Sequence, residues 1–157
     1  MDVITLDKFS DPDSPSHQLI QQLHQTTRAF AKTLNNDICD FGIYSSEWTI
    51  LQLVKNNEAL SQSTLAGYLN IEPAAISKTL SALEKKELIE RRCLNDNREK
   101  SVVLRPKAQK LYDELEQAVR AHRQAALAGL SPEECGLLCR LLHQIYQNVL
   151  DKTRPSA

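Results

Sequence analysis

Apolar side chains recur at Leu19, Leu23, Phe30, Leu34 and Ile38. Steps of four and seven set all five on one helical face, so residues 15–39 are expected to form a long first helix, broken at the Phe41-Gly42 turn. Ser45 is placed to cap a second helix carrying Trp48, Leu51 and Val54, which ends in the polar NNEA stretch. Ser61 can cap a third, short helix through Leu65 and Leu69, with Asn70 as the turn residue after it. Glu72-Pro73 then opens a fourth helix, since proline is tolerated in a first turn and an acid there complements the dipole. Its apolar stripe is Ile76, Leu80 and Leu83.

Beyond Leu88-Ile89 the period changes. LIERRCL and KSVVL are short, contain β-favouring residues and are separated by Asn95-Asp96-Asn97, which predicts a two-stranded hairpin with a charged tip. Helical spacing resumes near Pro106, where Leu111, Leu115, Val119 and His122 mark a long fifth helix stopping near Gly129. Ser131-Pro132-Glu133-Glu134 puts Ser at the N-cap, Pro at the first helical position and Glu at the third, the capping-box arrangement. The sixth helix carries Leu137, Leu138, Leu141, Leu142, Ile145 and Val149, apolar on more than one face. The expected fold is mainly α, six helices with a small β-hairpin wing.

Composition narrows the class. With 157 residues, 41% of them hydrophobic and 25% charged, the chain can bury a sizeable core, and disorder over most of its length is excluded. Apolar runs fall far short of the roughly 20 residues of a membrane span, and the start MDVITLDKFSDPDSP lacks the basic and apolar regions of a signal peptide. A cytoplasmic protein with no membrane partner and a loose tail over residues 1–14 is expected. The net charge of -1 hides an asymmetry: residues 72–110 hold ten lysines and arginines against six acids, a local +4, which leaves -5 on the rest. Such a basic segment on an acidic body suits contact with a polyanion through one surface, although a solvated charged face has the same composition.

Two short helices with a tight turn between them, followed by a basic hairpin, make a winged helix-turn-helix pattern. In such a unit the second helix enters the major groove, while the hairpin reaches phosphates or the neighbouring narrower groove. The stripe at Ile76, Leu80 and Leu83 faces the core, which leaves Pro73, Ala74, Ser77, Lys78 and Ser81 outward. Small residues permit close approach, serine can bond to several base edges, and Lys78 can contact guanine or a phosphate. Ser63 and Thr64 lie in the first turn of the third helix, whose amides suit a phosphate, though either hydroxyl can instead cap. Lys100 adds a cation to the hairpin. Alternation along the strand turns only one of Arg91 and Arg92 toward DNA, and Lys85 and Lys86 are expected to solvate the helix end.

LSQSTLAGYLNIEPAAISKTLSALEKKELIERRCLNDNREKSVVL resembles the central signature of the MarR family of bacterial transcriptional regulators, and IYSSEWTIL resembles the start of that family's second helix. The likeness covers about residues 43–110. It implies a homodimer that binds double-stranded DNA, with the first, fifth and sixth helices forming the dimer region. An Asp-x-Arg pair in the family's wing matches Asp96 and Arg98: the arginine reaches into the minor groove and the aspartate helps hold the wing's basic residues. The resemblance also implies repression more often than activation, and a small-molecule cleft between the dimer and DNA-binding regions. His24, Arg28, Tyr44, Trp48 and His122 are then candidates to contact an aromatic or anionic ligand, each equally readable as a core or helix-surface residue. The expected boundaries are a dimerisation helix over 15–42, a DNA-binding domain over 43–105 and C-terminal dimerisation helices over 106–151. Glu87 stands where the family usually has Gly, and Arg105 and Ala108 where Thr and Gly are common, all at the bend into the wing.

Other chemistries compete with this reading. Cys135, Cys139 and His143 share one helical face, but eight residues span about 12 Å, too far for one zinc ion with bonds of about 2–2.3 Å. Small buried thiols in a helical interface are the simpler account, and no metal site or cofactor is expected. A regulator sensing oxidants or metal through Cys93 or the Cys135/Cys139 pair is the alternative within the same class. No Gly-rich phosphate loop, Gly-x-Ser-x-Gly elbow or HExxH helix is present, so no enzyme is expected. A helical adaptor binding only protein would explain the terminal helices but not the basic wing.

Overall fold

A computed structural model describes residues 15–57, 60–93 and 100–153. The chain divides between Arg120 and Ala121 into two compact units. The first holds α1 (Pro15–Asp37), a 3-10 turn (Cys39–Phe41), α2 (Ser45–Asn56), β1 (Leu60–Ser61), α3 (Gln62–Leu69), α4 (Pro73–Lys85), β2 (Ile89–Cys93), β3 (Lys100–Leu104) and most of α5 (Pro106–Ala126). The second holds the end of α5 and α6 (Pro132–Thr153).

The first unit has a single core. Ile38, Trp48, Ile50, Leu51, Leu65, Ile76, Leu80, Leu83, Ile89, Val102 and Leu115 are buried together. Each comes from the apolar stripe of its element, so helical and strand periods converge on one interior. The α1 stripe reaches this core through Phe30 and Leu34, with Ile38 just beyond the helix end, while Leu19 and Ile20 stay exposed. After α1 the chain reverses at Gly42, which takes a left-handed φ of 66°. The N-cap of α2 is Tyr44 rather than the expected Ser45: the Glu47 carboxylate accepts from the Tyr44 amide at 2.8 Å, and Asn35 of α1 accepts from the Ser45 amide at 2.7 Å.

The wing is a three-stranded antiparallel sheet in the order β1-β3-β2. The β2–β3 hairpin agrees with the sequence pattern; β1 is an addition to it. Leu60 and Ser61 pair with Val102 and Ser101, tying the start of α3 to the wing. In the second unit, Ser131 and Glu134 cap α6 reciprocally. Ser131 Oγ accepts from the Glu134 amide at 3.2 Å, and the Glu134 carboxylate accepts from the Ser131 amide at 2.7 Å. Both bonds match the sequence signature.

Candidate nucleic-acid interface

Three local devices aim α3 and α4. Ser61 Oγ accepts from the Thr64 amide at 3.1 Å and caps α3. Asn70 ends α3 in the left-handed region with φ 51°, which asparagine tolerates, and turns the chain sharply. Pro73 then starts α4 at a position where its missing N–H is not needed. On α4, Ile76, Leu80 and Leu83 are buried, Pro73, Ala74 and Lys78 are exposed, and Ser77 and Ser81 are half-buried. An outward face of small residues with one cation is thus presented beside the N-terminus of α3. There Ser63 and Thr64 are exposed, and both hydroxyls lie within 2.9 Å of Ser61 Oγ.

The sheet sorts its two arginines. Arg91, opposite buried Val102, turns toward the helices, where its guanidinium donates to Ser81 Oγ at 3.2 Å, to Glu84 at 3.0 Å and to Gln62 Oε1 at 3.3 Å. Arg92 turns the other way, is largely exposed and pairs with Glu90. Lys100 is exposed across from Cys93 at the open end of the described hairpin. Asp96 and Arg98 lie outside the described residues.

The end of α4 departs from expectation. Lys85 is exposed, but Lys86 does not merely solvate the helix end. Its ammonium contacts both oxygens of Glu47 at 2.6 Å, donates to the Gly42 carbonyl at 2.8 Å and lies 5.4 Å from the centre of the Tyr44 ring. The left-handed turn at Gly42 brings the start of α2 beside the end of α4, a contact that spans 39 residues and leaves no local trace in the sequence. Lys107 of α5 donates to the Lys86 carbonyl at 2.9 Å from the other side.

The bend into the wing is closed by a left-handed residue. Leu88 donates to the Leu83 carbonyl at 3.0 Å and Glu87 to the Glu84 carbonyl at 2.9 Å, the paired bonds of a Schellman ending, with Leu83 and Leu88 both buried beneath it. The left-handed position is Glu87, φ 60°, where glycine would carry no steric cost. Its carboxylate approaches Arg105 at 3.9 Å, so two of the departures noted in the sequence face each other. The third, Ala108, is buried.

The five ligand candidates differ in exposure. Trp48 is buried with its ring 4.9 Å from that of Tyr112, and His122 is buried. Tyr44, His24 and Arg28 are exposed. A groove of about 520 Å³ in the first unit is lined by Phe41, Pro106, Lys107, Lys110, Leu111 and Glu114. Its aromatic and leucine walls carry two ammonium groups. Among the described residues no three His, Cys, Asp or Glu side chains gather as a metal site. Cys39, Cys93 and Cys139 are exposed thiols and Cys135 a half-buried one. No helix among the described residues is long and apolar enough to cross a membrane.

Comparison with known proteins places this geometry. The family model described as MarR matches residues 43–100. An uncharacterised HTH-type transcriptional regulator of Bacillus subtilis, YwoH, is 31% identical over 132 residues, 84% of this chain and 96% of that protein. A MarR-family regulator from Listeria monocytogenes, solved with a 26mer DNA, superposes with a TM-score of 0.77 at 20% identity, covering 88% of this chain and 97% of that one. MarR of Staphylococcus aureus, solved with salicylate and kanamycin, gives 0.75 at 23% identity over 88% and 94%. The last two show likeness of fold alone. The chain, with its winged helix-turn-helix over residues shared with the family model, belongs to the MarR family of transcriptional regulators.

Proposed function

We propose that the protein is a homodimeric, sequence-specific DNA-binding regulator that represses transcription from a pseudopalindromic operator and releases it on binding a small aromatic or anionic ligand. The observation that carries this reading is the outward face of α4. Ala74, Ser77 and Lys78 stand clear of the core stripe, beside the α3 N-terminus and the basic sheet. Ser77 and Lys78 read bases, with Pro73, Ala74 and Ser81 forming the close-approach surface. Ser63, Thr64 and Lys100 meet phosphates, and Arg98 enters the minor groove with Asp96 ordering the wing around it. The DNA complex of the Listeria relative supports the mode of binding.

Dimerisation is supported by exposed apolar residues that a lone subunit leaves wet. On α6 these are Leu137, Leu138, Leu141, Leu142, Tyr146 and Val149; on α1, Leu19 and Ile20. The dimerisation segments are residues 15–42 and 106–151, around a DNA-binding segment of 43–105. For the ligand, the groove between Phe41 and Leu111, where Lys107 and Lys110 outnumber the single carboxylate of Glu114, suits an aromatic carboxylate. The salicylate bound to the Staphylococcus relative supports that class. His24, Arg28, Tyr44, Trp48 and His122 remain proposed ligand contacts. A bound dimer covering promoter DNA excludes polymerase, which makes repression the direct outcome.

The test is affinity for DNA selected from a random pool against unselected duplex. Ser77→Ala and Lys78→Ala should each lower that ratio by about 1–3 kcal/mol, the value of a good base contact. Equal losses on both DNAs would make them phosphate anchors and remove the base-reading role.

A further inference from the structure

Arg91 ties the wing to α4 by side-chain hydrogen bonds, directly toward one end of the helix and through a relay toward the other. Toward the C-terminal half, its Nη2 donates to Ser81 Oγ at 3.2 Å and to Glu84 Oε2 at 3.0 Å. Toward the N-terminus the connection runs through Gln62, the first residue of α3. Arg91 Nη1 donates to Gln62 Oε1 at 3.3 Å, and Gln62 Nε2 in turn donates to the carbonyl of Pro73, the first residue of α4, at 3.4 Å. One planar guanidinium therefore bridges β2, α3 and α4. Its fork can hold several acceptors in fixed directions, which a lysine ammonium on a flexible stem cannot. Glu84 already neutralises the guanidinium charge, and the Arg91 side chain is only 23% exposed, so little of it is open to a phosphate.

We propose that Arg91, with Gln62 as its relay, is a positioning residue for DNA reading: it sets the register of α4 against the wing, so that major-groove and minor-groove contacts are made together, and it does not itself touch DNA. This rests on the assignment of α4 as the reading helix. Misplacing a reading side chain by an ångström weakens every base contact that depends on its direction, so the cost in specificity exceeds that of one hydrogen bond. A brace and a phosphate contact also leave different signatures. Removing a phosphate contact lowers affinity on all sequences and reduces the salt slope by about 1. Removing a brace lowers the preference for the operator and leaves the slope alone.

The experiment measures affinity for selected and random duplex DNA across a potassium chloride series, for wild type, Arg91→Lys, Gln62→Ala and the double variant, with thermal melting of each. Lysine keeps the charge, so Glu84 is not left uncompensated. Arg91→Lys is expected to lower the selected-to-random ratio by roughly tenfold with an unchanged salt slope. Gln62→Ala should produce part of the same reduction, and the double variant should fall short of the two reductions combined, since both act through one path. Should Arg91→Lys fail to fold, Gln62→Ala alone decides, on the same ratio and slope. Full retention of the ratio in the variants, or a reduced slope with equal weakening on both DNAs, overturns the proposal. Wild type showing no preference between the two DNAs instead removes the reading-helix assignment, and the brace with it.

Discussion

Glu87 holds a backbone conformation that costs an ordinary L-residue about 1–2 kcal/mol and glycine nothing. Its partner Arg105, 3.9 Å away with both side chains well exposed, returns little of that. Glu87→Gly is therefore expected to stabilise the protein by about 0.5–1 kcal/mol after the entropy of glycine in the unfolded chain is allowed for. The melting temperature would rise by about 2 °C. A lower melting temperature would show that the Glu87–Arg105 pair outweighs the strain. Lys86 gives the opposite case. Its removal would strand the Glu47 carboxylate, whose side chain is 4% exposed. Lys86→Ala should cost about 3 kcal/mol in denaturant unfolding, the low end for breaking a buried pair because the lysine itself is partly solvated. Glu47→Gln combined with Lys86→Met should recover part of this, since no charge is then buried alone. Equal destabilisation in the single and double variants would mean that the ion pair is not what holds α4 to α2.

The elements end where the side chains that cap them stand, and the cap of α6 can be tested separately. Ser131→Ala removes the acceptor for the Glu134 amide and should cost about 1 kcal/mol. Glu133, fully exposed in the same turn, has its carboxyl pKa lowered by a backbone hydrogen bond and by Ser131. A depressed folded-state pKa adds stability that is present above the unfolded value and is lost as the pH falls through the folded value. Glu133→Gln should thus melt below wild type at pH 7, with the gap closing in acid below the usual carboxylate range. A gap that is constant with pH would rule out the charge at the helix start as its source. The caps are legible in the sequence because they are local: Ser61, Pro73, Ser131 and Glu134 announce their helices within three or four residues. β1 is not, since two residues carry no period and their partners lie some 40 positions away. Separations of 39 and 29 residues likewise hide the Lys86–Glu47 contact and the turn of Arg91 toward Gln62. The outward face of α4 is legible because it is the complement of a stripe. The hydrogen bond that Ser81 accepts from Arg91 is not, because it depends on which strand arginine faces the helix.

For the molecule as a whole, the exposed leucines of α6 are expected to find their cover in a second copy. Sedimentation should give a dimer at micromolar concentration, and Leu141→Arg, placed on a side chain that is 54% exposed, should give a folded monomer with strongly weakened DNA binding. A wild-type monomer that still binds DNA tightly would end the dimer reading. The most direct test of the account is a hydroxyl-radical footprint on duplex DNA selected by the protein from a random pool. The account predicts two protected stretches of backbone centred about 34–36 Å apart and related by a twofold axis, with further protection where the wings meet the flanking minor grooves. One isolated protected segment, or uniform protection indifferent to sequence, would contradict it.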